Sequence, residues 1–151
     1  MSTPLNDIVD IINIFKNKDS VFADEVIPYK YAKWGVITAS IPLNTDFVIS
    51  LELDELENII GGSIEPSLTD KQILLCGIYA YRIFAFQQHE MYATKAVNFK
   101  TINFAVSGLT ERAKEMMRIV WWCDNEIERI LNELLSSPMG NAEEMIYGYG
   151  E

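Results

Sequence analysis

Residues 69–91 read TDKQILLCGIYAYRIFAFQQHEM, and this stretch decides the fold. Charged side chains occupy only four of its positions, at Asp70, Lys71, Arg82 and Glu90. A helix that is apolar on nearly every side is covered by other elements in several directions. The stretch therefore predicts a central helix over residues 69–91, on which the remaining elements pack.

Further helices are predicted on both sides of this central segment. Apolar residues recur at helical spacing over residues 4–16 and predict an amphipathic helix there. The aromatic cluster of Tyr29, Tyr31 and Trp34 after Pro28 indicates a second helix over residues 28–40. The second of these helices is expected to end at Ile41-Pro42, because the residue before a proline is pushed out of the α region. A last helix is predicted to reach residue 135 from its N-cap, Thr110.

Two stretches alternate instead with the period of two that is typical of strands. In residues 43–53 the alternating apolar positions are Phe47, Ile49, Leu51 and Leu53. In residues 96–106 they are Val97 and Phe99, followed by Ile102, Phe104 and Val106. Between the first of these stretches and the central helix, residues 54–60 are predicted to form one or two short helical turns that close at Gly61-Gly62.

The predicted fold class is mainly α, a small helical bundle around a central apolar helix. An extended strand or β-hairpin formed by residues 96–106 is inserted between the last two helices, and an extended C-terminal tail follows them. Residues 1–136 are assigned to the helical domain and residues 137–151 to the tail.

The composition is acidic, with 22 Asp and Glu against 12 Lys and Arg, a net charge of -10. This sign of charge disfavours condensation on a DNA backbone or on an anionic membrane. The longest stretch without a charged residue covers only residues 34–45, whereas a membrane-spanning helix needs about 20 apolar residues. We therefore expect no membrane segment, and no secretory signal, because no basic region precedes the apolar residues at the N-terminus.

The residues that usually carry catalysis form no recognisable motif. His89 is the only histidine, and Cys76 and Cys123 lie far apart in the sequence, so both thiols are predicted to be reduced and buried. No serine lies in a nucleophile-elbow motif, and Gly61-Gly62 is not a phosphate-binding loop. The sequence predicts neither an enzyme nor a bound metal or cofactor.

One acidic pair supports an alternative function. Glu52 and Glu55 form an ExxE pattern, which would place both carboxylates on one face of a helix. All-α nucleotide pyrophosphohydrolases hold magnesium with such a pair, together with carboxylates from a second helix. Here only Asp124 and Glu128, spaced i,i+4, could substitute for that second pair. The alternative is therefore a magnesium-dependent enzyme of this type.

Adjacent tryptophans suggest an interface. Trp121 and Trp122 point about 100° apart on a helix, so both rings do not easily enter one core stripe. Either the last helix is buried on two sides or one indole faces a partner. Together with the apolar stretch before this helix, the pair predicts self-association. The predicted subunit interface consists of Phe99, Ile102, Phe104, Val106, Trp121 and Trp122.

The order of these elements resembles the head-tail connector (adaptor) proteins of tailed bacteriophages. The similarity covers residues 5–135. It rests on the helix that ends at Ile41-Pro42, on LTDKQIL at residues 68–74 opening an apolar helix, and on the extended segment with Phe99 and Phe104. The long final helix, ERAKEMMRIVWWCDNEIERILNEL at residues 111–134, completes the pattern.

This resemblance implies a structural protein of the virion neck, made in the host cytoplasm. Such proteins form rings, commonly of twelve copies, beneath the portal, connect head to tail and line the DNA channel during genome retention and ejection. The implied partners are other copies of the chain, the portal protein and other neck or tail proteins. The genome passes through without sequence-specific binding, and an acidic channel wall would repel its phosphates.

The tail provides the first testable prediction. It carries Met145, Ile146, Tyr147 and Tyr149, which are predicted to dock on the portal or on another neighbouring ring. Deleting residues 137–151 should leave the melting temperature and the helix content by circular dichroism almost unchanged, while pull-down assays should show that attachment to the portal is lost. A truncated chain that still binds the portal, or one that melts much earlier, would contradict this assignment.

Overall fold

The computed structural model of the chain describes residues 1–18, 26–98 and 103–135. Within these ranges the chain forms four helices and one three-stranded sheet. The helices are α1 (Leu5–Lys18), α2 (Lys30–Leu43), α3 (Asp70–Asn98) and α4 (Asn103–Leu135). The strands are β1 (Thr3–Pro4), β2 (Val48–Leu53) and β3 (Ile59–Glu65). The predicted mainly helical bundle is confirmed.

Helix α3 is the centre of this bundle, as its apolar sequence predicts. Helices α1, α2 and α4 all pack against it. Its buried side chains point in several directions and include Leu75, Cys76, Ile78, Ala80, Tyr81, Phe84 and Ala85. Each large apolar side chain that is fully buried in this way contributes about 1.5–3 kcal/mol relative to exposure, so α3 accounts for much of the core.

Two glycines allow the helices to approach α3 closely. A Cβ atom added at Gly35 of α2 would lie 2.3 Å from the carbonyl oxygen of Cys76 and 2.8 Å from the Cβ of Ala80. A Cβ atom added at Gly77 of α3 would lie 2.3 Å from Cγ2 of Ile11 in α1. Both distances are far below van der Waals contact, so larger side chains at these positions would separate the helices.

Helices α3 and α4 run antiparallel along their length. Lys71 at the start of α3 pairs with Glu133 near the end of α4, and Arg82 pairs with Asp124. The hydrogen bond from Lys71 lowers the pKa of the Glu133 carboxyl, to which Arg129 adds a smaller contribution. These pairs are largely exposed and set the register of the two helices rather than their stability.

The sheet has the strand order β1-β3-β2 and is antiparallel throughout. Strand β2 lies within the stretch predicted to be extended, and Ile49 and Leu51 pack against the core. Strand β1 was not predicted. The Thr3 side chain is 4% exposed, and its Oγ1 accepts a hydrogen bond of 2.8 Å from the Leu68 N–H. This contact holds the N-terminus against the segment that leads into α3.

The short helical turns predicted for residues 54–60 are wrong, because this segment is the turn of a β-hairpin. One Asp54 carboxylate oxygen accepts the N–H groups of Leu56 (2.9 Å) and Asn58 (2.8 Å), and the Asn58 bond is the main cause of the lowered pKa of Asp54. Glu57 adopts the left-handed conformation, with φ of 64°, which is common in three-residue hairpin loops. Gly61-Gly62 lies within β3 and does not end a helix.

The predicted end of the second helix is also wrong. Helix α2 continues through Pro42 to Leu43 and ends at Asn44, which has a left-handed conformation with φ of 51°. The N–H groups of Asn44 and Thr45 bond to the carbonyls of Ile41 and Ser40. A proline is tolerated here because the residues that follow it satisfy the last carbonyls of the helix.

The extended insertion predicted for residues 96–106 is wrong wherever the structure describes it. Helix α3 continues to Asn98 and α4 begins at Asn103, so the backbone at Phe104 and Val106 is helical. Phe99 and Ile102 lie outside the described residues. A short apolar run does not by itself distinguish a strand from a helix, and here the long antiparallel contact between α3 and α4 favours the helix.

Both cysteines are buried and neither forms a disulfide, as predicted. Burial raises the pKa of the Cys76 thiol to about 12, so this group stays protonated at neutral pH. None of the helices in the described ranges combines the length and the apolar character needed to cross a membrane.

The substitution Gly35→Ala tests the close approach of α2 to α3. We expect it to lower the free energy of unfolding by about 1–3 kcal/mol, because the new methyl group overpacks the contact. The matched control is Gly108→Ala in α4, where an added Cβ has nothing within 4 Å and a stabilisation of up to about 1 kcal/mol is expected. Urea denaturation measures both values, and equal effects would contradict the close packing.

Candidate functional site

An apolar groove lies between the end of α3 and the first half of α4. Its volume is about 670 Å³, within the range of about 300–1,000 Å³ that is typical of ligand pockets. Small side chains form its floor, namely Ala93, Ala96 and Ala113. Met117 and Trp121 form an apolar wall, and we call the whole feature the α3/α4 groove.

Basic residues border the α3/α4 groove. Lys114 and Arg118 line it directly, and each forms an ion pair with an acidic residue three positions earlier in α4. Nearby, the Lys95 and Arg112 cations each lie 5.8 Å from the ring centroid of Tyr92. No Asp or Glu is among the described residues that line the groove. The charged side chains of its lining are therefore basic.

The only histidine lines the same groove and has a structural hydrogen bond. Nδ1 of His89 lies 3.0 Å from the carbonyl oxygen of Ala113. Because a carbonyl oxygen only accepts, Nδ1 carries the hydrogen and donates it. His89 therefore links α3 to α4.

The two adjacent tryptophans have different environments. Trp122 is 41% exposed and makes an edge-to-face contact with Phe15 of α1, with ring centroids 5.2 Å apart. Trp121 is 61% exposed and lines the α3/α4 groove. Helix α4 thus uses Trp122 for its own packing, whereas Trp121 is available to a partner.

A second apolar surface lies at the turn of the β-hairpin. Leu56 is 82% exposed, and Leu53 and Ile60 are more than half exposed. These side chains are accompanied by four exposed carboxylates, Glu52, Asp54, Glu55 and Glu57. We call residues 52–60 the hairpin tip. Sequence reasoning missed this surface because it assigned the segment to helical turns; alternating runs on both sides of an Asp- and Asn-containing loop were the available signal.

The carboxylate pair of the alternative function does not have the predicted geometry. Glu52 lies in β2 and Glu55 lies in the hairpin turn, so they do not share a helix face. Asp124, from the proposed substitute pair, is bonded to Arg82. In the ranges that the structure describes, no cluster of three or more His, Cys, Asp or Glu residues could hold a metal ion.

The other predicted interface residues are not brought together in the described structure. Phe104 and Val106 lie in the first turns of α4, while Phe99 and Ile102 are outside the described ranges. The residues predicted to dock on the portal, Met145, Ile146, Tyr147 and Tyr149, are also outside them. Among the predicted interface residues, Trp121 lines the exposed α3/α4 groove.

Comparison of the chain with protein-family models, with curated proteins and with solved structures finds no match.

Alanine substitution distinguishes the two indoles. Trp122→Ala should lower the free energy of unfolding by about 1–3 kcal/mol, because it removes the contact with Phe15. Trp121→Ala, the matched control on the same helix, should change this free energy by less than about 0.5 kcal/mol, since its ring is mostly exposed. Urea denaturation at low protein concentration provides both values. A larger loss for Trp121→Ala would show that Trp121 belongs to the core of the protomer.

Proposed function

We propose that this chain is the subunit of a ring in the neck of a tailed bacteriophage, where it connects head to tail and lines the DNA channel. The observation that carries the proposal is the exposure of two apolar surfaces, the α3/α4 groove and the hairpin tip, on one helical frame. Monomeric proteins rarely expose large contiguous apolar patches, which are typical of interaction sites.

The regular elements that carry the two surfaces support a structural role. The α3/α4 groove is built on two long helices, and the hairpin is held to the bundle by β1 and by the hydrogen bond between Leu68 and Thr3. Interaction surfaces on such elements keep their relative positions. A ring requires this property, because every copy must present its two contacts at a constant angle.

The charge of the chain is compatible with a DNA channel. At -10 per copy, a ring carries a strongly negative total charge. Like charges on the channel wall and on the phosphate backbone oppose tight binding, so a duplex can move through without being retained by the wall. The resemblance of residues 5–135 to connector proteins supports the same function and implies that the portal is the upper neighbour.

The test is to disrupt the gene in the phage that carries it. We expect DNA-filled heads and separate tails in place of joined particles, with loss of nearly all infectivity, and electron microscopy distinguishes these products. The control is the same disruption complemented by the intact chain, which should restore joined particles. Mass spectrometry of purified wild-type particles should detect the chain in every virion.

Two results would contradict the proposal. Joined, infectious particles that lack the chain would exclude a neck function. Magnesium-dependent hydrolysis of nucleoside triphosphates by the purified chain, lost on Glu52→Gln or Glu55→Gln, would support the enzymatic alternative instead.

A further inference from the structure

The two exposed apolar surfaces of this chain have opposite charges. The hairpin tip carries four carboxylates and no basic residue. The α3/α4 groove is bordered by Lys114 and Arg118, and none of the described residues that line it is acidic. Opposite charges around two apolar surfaces favour their association and disfavour the pairing of either surface with itself.

The two surfaces lie at opposite ends of α3. Strand β3 ends at Glu65, just before α3 begins at Asp70, whereas the α3/α4 groove is formed by residues from His89 onward. From Asp70 to Ala93 the helix rises about 35 Å, at 1.5 Å per residue. The hairpin extends at most about 26 Å over the eight residues from Ile64 to Leu56, at about 3.3 Å per residue. In the described structure, no residue of the hairpin tip lines the groove of the same copy.

We propose that the hairpin tip of one copy binds in the α3/α4 groove of the next copy. Leu56 packs against Met117 and Trp121, and the carboxylates of the tip face the basic border of the groove. This inference rests on the proposed function and deepens it, because it names the surfaces through which copies in the ring contact each other.

A contact between two different surfaces determines the type of assembly. Head-to-tail contacts produce closed rings when the rotation between copies closes, and open filaments when it does not. A symmetric dimer through either surface would bring like charges together: the four carboxylates of two tips, or the basic borders of two grooves. Electrostatics therefore favour the head-to-tail arrangement that a ring needs.

Two charge-reversed variants of the full chain test this contact. The groove variant carries Lys114→Glu and Arg118→Glu, and the tip variant carries Glu55→Lys and Glu57→Lys. All four side chains are on the surface, so both variants should fold with wild-type circular dichroism. In sedimentation velocity each variant alone should associate at least about tenfold more weakly than the wild type, because like charges now meet at the contact.

Mixing the two variants provides the specific result. The reversed tip then meets a reversed groove and the wild-type tip meets a wild-type groove, so a one-to-one mixture should recover assembly. The matched control for the groove variant is Lys18→Glu with Lys30→Glu, which changes net charge equally at exposed lysines outside the groove. This control should assemble as the wild type does.

Three results would overturn the inference. The first is a wild-type chain that remains monomeric at about millimolar concentration, where even contacts of millimolar Kd are populated. The second is normal assembly of the single variants, and the third is a mixture of the two variants that stays dissociated.

A fourth result would also overturn the inference. If deleting residues 137–151 removes the sensitivity of assembly to the groove variant, the tail and not the hairpin tip occupies the groove. Normal assembly of both single variants would refute the tip–groove contact but not the proposed neck function. Conversely, if the contact is confirmed but the chain is absent from virions, only the neck function is refuted.

Discussion

The close packing of α1 and α2 on α3 is the constraint on which the rest of the structure depends. Gly77 and Gly35 bring the helices so near that an added Cβ would collide with Ile11 or with the Cys76 carbonyl. Helix α3 is thereby covered on several sides, and apolar side chains around its circumference are buried. This packing also determines where the hairpin and the α3/α4 groove lie, because the hairpin precedes the start of α3 and the groove is formed at its end.

The same arrangement separates the two charged surfaces. The hairpin is connected to the start of α3 through β3 and is held there by β1 and the Thr3 side chain. The groove lies at the other end, where α4 pairs with the last turns of α3. An acidic chain thus has a groove lined by Lys114 and Arg118 and a hairpin tip with four exposed carboxylates. In the proposed assembly, this difference in charge favours contact between the hairpin tip of one copy and the α3/α4 groove of another.

Sequence reasoning succeeded where burial is dictated locally. The apolar stretch around Leu75 and Tyr81 identified the central helix, and the alternation around Ile49 and Leu51 identified β2, because both patterns reflect the period of the backbone. It failed at Pro42 and at residues 96–106. At Pro42 the tendency of proline to end a helix is overcome by the capping at Asn44. At residues 96–106 the alternating pattern of a strand is overcome by the contact between α3 and α4.

The candidate site shows the same division. From the sequence alone came the mainly helical fold, the acidic charge and the adjacent Trp121 and Trp122 as a possible interface. Only the tertiary structure assigned Trp122 to a contact with Phe15, left Trp121 in an apolar groove and placed Leu56 on an exposed hairpin. The physical reason is that backbone periodicity and composition are local properties, whereas exposure depends on which distant elements cover a side chain.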